Sequence, residues 1–146
     1  LDWLLYNMLQ RDFRKDSRIT WNIPDSRDAE TQIYQTRIRT THGDEAKGGS
    51  GIAGKRTPLA LLDHRKTRRI AQSKKEGFHC LMYGHWHEYD PGERLFGNGS
   101  LKGVDEYSLG GEFGFEEPKQ GFFLVTPEHG ISLKAPIYCR SEKEKW

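Results

Sequence analysis

Residues Tyr83-Gly84-His85-Trp86-His87-Glu88 follow the apolar stretch Phe78 to Met82, so a strand is predicted to end on a loop that offers two imidazoles. Imidazoles this close in sequence can serve a common centre when the backbone turns sharply, and Gly84 is expected to permit that turn. Neutral imidazole is the commonest side-chain metal ligand. A His-x-His pair at the C-terminal edge of a strand can chelate one ion or serve two adjacent ones. A third histidine sits in a matching context: the β-rich run Ile33 to Thr41 ends in Thr41-His42-Gly43-Asp44, again imidazole, glycine and acid at a strand tip. The plain alternative is that all three are surface histidines bonded to carbonyls.

The chain has 146 residues, the size of one domain with one core. Its apolar share is 34% and its charged share 30%, which calls for a large solvated surface or for a partner that covers part of it. The 23 basic and 21 acidic residues leave a net charge of only +2, so gross electrostatics does not demand a nucleic-acid partner. With two cysteines, no apolar leader and no membrane-length stretch, a soluble, reducing, cytoplasmic setting without a membrane partner is expected. Cys80, inside a buried-looking strand, is expected to be a core residue.

The elements that must position the histidines can be read from periodicity. Leu1, Leu4, Leu5, Met8 and Leu9 lie on one helical face with no capping residue before them, so the chain is expected to be a fragment that opens directly on a helix. A short strand is predicted at Ile19 to Ile23, a turn at Asp25 to Glu30, and one strand from Ile33 to Thr41. Glycines 43, 48, 49, 51 and 54 predict a long mobile loop. Thr57-Pro58 should open a helix running to about Lys75 that Gly77 terminates, with Leu59, Leu62 and Ile70 inward and Arg65, Lys66, Arg68, Arg69, Lys74 and Lys75 mostly outward. Strands are expected at Phe78 to Tyr83 and Arg94 to Phe96. An irregular excursion is expected from Gly103 to Pro118, a hairpin from Gly121 to Tyr138 with a four-residue turn, and a charged tail at 141–146.

In this order, a strand then His42-Gly43-Asp44, a helix, a strand then Gly84-His85-Trp86-His87, a short strand then Asn98-Gly99-Ser100, and a closing hairpin, the chain from about Ile33 onward resembles the C-terminal half of the calcineurin-like metallophosphoesterases. The resemblance implies an α/β (α+β) fold. Residues 1–146 would be a single partial domain, the C-terminal half of a four-layer α/β/β/α sandwich of two facing mixed sheets with a two-metal site at the strand ends. It implies His42 and His85 on one ion and His87 on the other, imidazole suiting Mn, Fe or Zn better than Mg. Asp44 stands where many members carry a second histidine or another polar residue, and is expected to orient His42. Gly84, Asn98 and Lys55 are expected to support the site or touch substrate. The family's Asp-x-His, Gly-Asp-x-x-Asp and Gly-Asn-His-acid motifs do not occur in this chain. The bridging carboxylate and the catalytic histidine are therefore expected in a missing N-terminal half, and the isolated chain is expected to be inactive.

The activity implied by the resemblance is hydrolysis of a phosphoester by water activated between two cations about 3.5–4 Å apart. The metal ligands do not discriminate among phosphomonoesters, phosphodiesters and DNA or RNA. Two other readings compete. Gly49 to Lys55 fits the start of a phosphate-cradling loop, though Arg56 follows where magnesium binding needs Ser or Thr. The basic stretch His64 to Lys75, most simply a solvated helix face, could with the glycine-rich loop 48–55 make a non-catalytic nucleic-acid- or nucleotide-binding module. Trp86 is expected to pack, with stacking on a substrate ring as its alternative.

Overall fold

The order of parallel strands decides which loops meet, and it follows from two successive crossovers. In the computed structural model, which describes residues 2–47, 54, 56–102 and 116–139, β2 (Thr36–Thr41) leads through α2 (Arg56–Gln72) to β3 (Cys80–Tyr83), and the two strands pair in parallel. β3 also pairs in parallel with β5 (Leu95–Gly97). The edges are antiparallel: β1 (Asp28–Ile33) on β2 and β4 (Asp90–Pro91) on β5, giving a five-stranded mixed sheet in the order β1-β2-β3-β5-β4. β6 (Lys119–Thr126) and β7 (Gly130–Tyr138) form a separate two-stranded sheet. α1 (Asp2–Asp12) stands at the N-terminal side. The molecule is thus a mixed α/β structure, and no helix among the described residues is long and apolar enough to cross a membrane. Expectations for 48–53, Lys55, most of the 103–118 excursion and the 141–146 tail fall outside the described residues.

Strand alternation sets up two packed faces. On one, Leu81 and Tyr83 of β3 and Leu95 of β5 meet α2, with Leu59, Leu62 and Ala46 around Tyr83 and with Ile70 and Phe78 around Leu81. Adjacent strand residues point to opposite sides, so Phe96 faces away from α2, where it meets Phe123 of β6 at a ring separation of 5.9 Å. A side chain at Gly121 would collide with the Phe96 ring. Lys134 of β7 donates to the carbonyls of Gly92 (2.5 Å) and Glu93 (2.9 Å), closing the hairpin onto the β4–β5 turn. The resulting layers are helix, sheet and hairpin. The outer hairpin face leaves Phe122, Leu124, Leu133 and Ile137 exposed.

Helix and sheet are also joined by charge. Lys66 is buried, in contrast to the outward placement its residue type suggested, because it continues the inward row of Leu59, Leu62 and Ile70. Its ammonium is matched by Asp28 at 2.7 Å and Glu45 at 2.6 Å, and Arg39 adds ion pairs to Asp28 (3.3 Å) and Glu30 (3.1 Å). Arg94, just before β5, makes a second tie, reaching Asp63 (2.7 Å), Thr67 (2.7 Å) and the Phe78 carbonyl (3.1 Å).

Several local expectations are corrected. Ile19 to Ile23 is not a strand: it forms no ladder, and Asn22 instead donates its side-chain amide to the Glu30 carbonyl at 2.6 Å. The segment expected to turn at Asp25 to Glu30 enters β1 at Asp28, and the run Ile33 to Thr41 is divided by a two-residue turn at Tyr34-Gln35. Tyr34 has φ 52°, a conformation glycine usually supplies in such hairpins, so the turn carried no glycine or asparagine signal. Likewise α2 is capped by Lys74, φ 55°, rather than by Gly77. Lys74 N–H donates to Ala71 and Lys75 N–H to Ile70, the Schellman pattern. The closing hairpin turns on Pro127, Glu128 and His129, with Gly130, φ 66°, already in β7.

Replacing Lys66 by Met should leave Asp28 with Arg39 alone and Glu45 with Arg27 alone and lower stability by about 1–3 kcal/mol. Arg65→Met on the exposed face should change it by less than about 0.5 kcal/mol; urea denaturation checks both. Lys74→Gly should stabilise by up to about 1 kcal/mol by relieving the left-handed backbone, read as a higher urea midpoint at unchanged slope.

Candidate functional site

Because β2, β3 and β5 are parallel, their C-terminal ends lie on one edge of the sheet, and His42, Gly84 and Asn98 are the first residues past those ends. Crevices outside such strand ends are where open α/β sheets bind ligands. The ends are stitched together by the backbone: Gly84 N–H donates to the His42 carbonyl at 3.0 Å and Asn98 N–H to the Tyr83 carbonyl at 2.9 Å. Asn98 is then occupied on both side-chain atoms, donating to Gln120 Oε1 (2.8 Å) and accepting from Gly121 N–H (2.8 Å). It ties the sheet edge to the hairpin.

The two imidazoles from different strand ends meet. His85 Nδ1 lies 3.3 Å from His42 Nε2, with the rings edge to face at a centroid separation of 5.1 Å, and both side chains are exposed. Two nitrogens held by one tetrahedral ion at about 2.0–2.1 Å each stand roughly 3.3–3.4 Å apart by simple geometry, so the pair spans one edge of a zinc-type coordination shell. The same distance also fits an N–H···N bond between neutral rings of suitable tautomers. Among the described residues, no group of three or more His, Cys, Asp or Glu side chains is arranged to hold an ion. His87, half-buried on the same loop, therefore does not complete a shell with the other two.

The loop that presents these rings is strained, and the strain falls on the histidines. Gly84 does not have positive φ; His85 (φ 65°) and His87 (φ 53°) do. Trp86 N–H donates to the Gly84 carbonyl at 2.7 Å, so His85 is the centre of a γ-turn with left-handed φ, a rare geometry that costs on the order of 1–3 kcal/mol for a residue with a side chain. The glycine that this site needs is Gly43, with φ 104° and a would-be Cβ only 3.0 Å from the Gly84 carbonyl oxygen. At Gly84 a Cβ would meet only the His42 carbonyl, at an ordinary 3.5 Å. The turn therefore depends on the glycine of the other strand-tip motif, whereas the sequence assigns the sharp turn to Gly84.

The residues around the rings hold the two loops in place. Asp44, expected to orient His42, instead pairs with Arg27 at 3.0 Å. Glu45 accepts from Lys66 and Thr41, and Ala46 is buried in the core, so the start of the glycine-rich loop is a packed turn. Tyr83, buried beneath the histidine loop, donates its hydroxyl to Asp90 at 3.2 Å; burial and then the Asp90 carboxylate hold its pKa far above the ordinary tyrosine range, so it remains a donor. Trp86, partly buried, packs against the cluster of Ala46, Leu59, Leu62 and Tyr83, in line with its predicted packing role.

α2 begins beside this edge and runs away from it. Leu59 and Leu62 pack near Tyr83 at the end of β3, whereas Ile70 packs with Phe78 before its start. The helix spans about 24 Å from Arg56 to Gln72 at 1.5 Å per residue, which puts Arg68, Arg69, Lys74 and Lys75 toward the far end of the sheet, where cations complement the helix dipole. Compared with known proteins, the chain matches no family model, no curated protein and no solved structure.

Gly43→Ala should destabilise the protein by about 1–3 kcal/mol and broaden the His42 and His85 ring resonances, whereas Gly84→Ala should cost less than about 1 kcal/mol. Urea melts and nuclear magnetic resonance of the two variants check this; equal costs would show that the turn is not built around Gly43.

Proposed function

We propose that this chain is the histidine-bearing half of a metal-dependent phosphoesterase, in the manner of the calcineurin-like family its motif order resembles. The observation that carries the reading is the 3.3 Å approach of His42 and His85 from the ends of two adjacent parallel strands. Their nitrogens fit two positions of one divalent ion, Zn, Mn or Fe, and His87 would serve a second ion. Such a pair of ions supplies the Lewis acidity that polarises a phosphoryl oxygen and acidifies an attacking water. The chain's own residues would hold the ions by neutral nitrogen and fix the rings through the Gly84–His42 and Asn98–Tyr83 backbone bonds. Neutral ligands alone do not neutralise two dications, so the bridging carboxylate and the catalytic histidine would come from another segment.

Two exposed surfaces support a missing partner. α1 carries Trp3, Leu4, Leu5, Tyr6, Met8 and Leu9 around most of its circumference, all exposed, and the outer face of the β6–β7 hairpin is apolar. A helix that is apolar nearly all round is ordinarily buried, and contiguous apolar faces are ordinarily covered. The layers of helix, sheet and hairpin would then be part of the four-layer sandwich. A non-catalytic nucleic-acid-binding module on the basic helix would use cations at the end of α2 away from the histidine edge and would leave the paired imidazoles without a role. A phosphate-cradling role for Gly49 to Lys55 falls outside the described residues.

The chain should bind Zn(II) or Mn(II) weakly and hydrolyse bis(p-nitrophenyl) phosphate at the background rate. Calorimetric titration should show binding lost in His42→Ala and in His85→Ala, each by more than the roughly 10–100-fold typical of changes to groups that merely orient ligands, and retained in His129→Ala on the hairpin turn. Coding sequence upstream of Leu1 should contain the three carboxylate- and histidine-bearing motifs, and the extended protein should be active. Unchanged metal affinity in His85→Ala would overturn the site. Strong turnover by the 146-residue chain alone would overturn its assignment as half of one.

A further inference from the structure

A strand that simply overran its sheet would point His85, Trp86 and His87 alternately to either side at no conformational cost. The loop does something more expensive. It places two residues with side chains, His85 and His87, in the left-handed region on either side of Trp86, and closes a 2.7 Å γ-turn bond across the first of them. Neither position is glycine, and Gly84, which could have absorbed the positive φ, does not. Backbone strain of this kind persists only where surrounding contacts over-determine it.

Those contacts belong to Trp86. Half-buried, it packs against the core cluster that Ala46 of the loop after His42, Leu59 and Leu62 of α2, and Tyr83 at the end of β3 form together. Its Nε1 is buried and makes no hydrogen bond among the described residues, so its packing there is apolar and does not use its polar handle. An indole contributes among the largest apolar areas of any side chain, enough burial energy to sustain a strain on the order of 1–3 kcal/mol. With the indole packed on the core, the His85 imidazole is exposed, and its ring, edge to face with Trp86 at 6.3 Å, arrives 3.3 Å from His42.

We propose that Trp86 is the positioning residue of the histidine loop: packed on the core cluster that the His42 loop, α2 and β3 share, it sets the relative placement of the two strand-end imidazoles. In the metal-site reading on which this role rests, Trp86 touches no ion and acts only through His85.

The test uses the 146-residue chain with Trp86→Ala, Trp86→Phe and Trp86→Leu, each checked for folding by circular dichroism and urea. Two measurements are made on every variant: calorimetric and spectroscopic titration with Zn(II) and Co(II), and the ring ¹⁵N shifts of His42 and His85 in the metal-free protein. Trp86→Ala is expected to weaken metal binding by about 10–100-fold, to alter the Co(II) visible spectrum and to abolish the paired ring shifts. Trp86→Phe, which keeps an aromatic anchor, is expected to stay within about 3-fold of the parent on metal and to keep the shifts. Parent-like affinity and parent-like shifts in folded Trp86→Ala would overturn the proposal. If Trp86→Ala does not fold, Trp86→Leu decides by the same two measurements: altered shifts and weaker binding support the role, and parent-like values overturn it. If the parent itself takes up neither metal, the metal site fails, and the metal-free ring shifts still decide whether Trp86 pairs the histidines.

Discussion

Parallel pairing of β2 with β3 under α2 is the constraint on which the rest of this structure depends. A parallel pair needs a long crossover, and here the helix that makes it also supplies the layer that buries Leu81 and Tyr83. Once the two strands run in the same direction, their ends fall on the same edge, and residues more than forty positions apart in sequence become neighbours. His42 and His85 are one such pair, and the backbone bond from Gly84 to His42 is the local seal of that arrangement. The addition of β5 brings Asn98 to the same edge, where its side chain carries the sheet over to the hairpin.

The buried charge cluster supports that crossover from the opposite side. Lys66 reaches from α2 to Asp28 on the edge strand and to Glu45 just after His42, so one ammonium joins the helix, the outer strand and the histidine loop. Charge pairs of this sort add little net stability when weighed against an apolar replacement, but they are strict about geometry, since each carboxylate left without its cation is costly. Leu59, Leu62 and Ile70 supply the driving force for docking α2, and Lys66 constrains how it docks.

Strain and packing are divided unevenly over the candidate site. The core beneath it is conventional, with buried aliphatic and aromatic side chains and a tyrosine hydroxyl satisfied by Asp90. Above that core, positive φ is concentrated at His85, His87 and Gly43, all within the two loops that carry the imidazoles. The unused apolar faces of α1 and of the hairpin lie elsewhere on the surface, and they fit a chain whose layers continue into a partner. Both features fit the reading of the chain as one half of a shared metal-dependent site.

Much of this was legible in the sequence, because local patterns depend on local physics. The alternation and β-branching of Thr36 to Thr41, the apolar run ending at Tyr83, the inward row of α2 and the turn before Gly130 each marked an element, and the strand-end histidines marked an edge worth attention. What the sequence could not disclose was anything set by a distant contact. Tyr34 and Lys74 adopt left-handed backbone without the glycine that would announce it, because the hairpin ladder and the helix end impose it. Lys66 reads as a surface residue until Asp28 and Glu45 are brought to it. The need for glycine moved from Gly84 to Gly43 because the limiting contact is between two loops rather than within one. The residues that could bind a cation were set by the sequence alone. That two of them stand 3.3 Å apart was decided by the tertiary structure, through the parallel pairing of the strands that carry them.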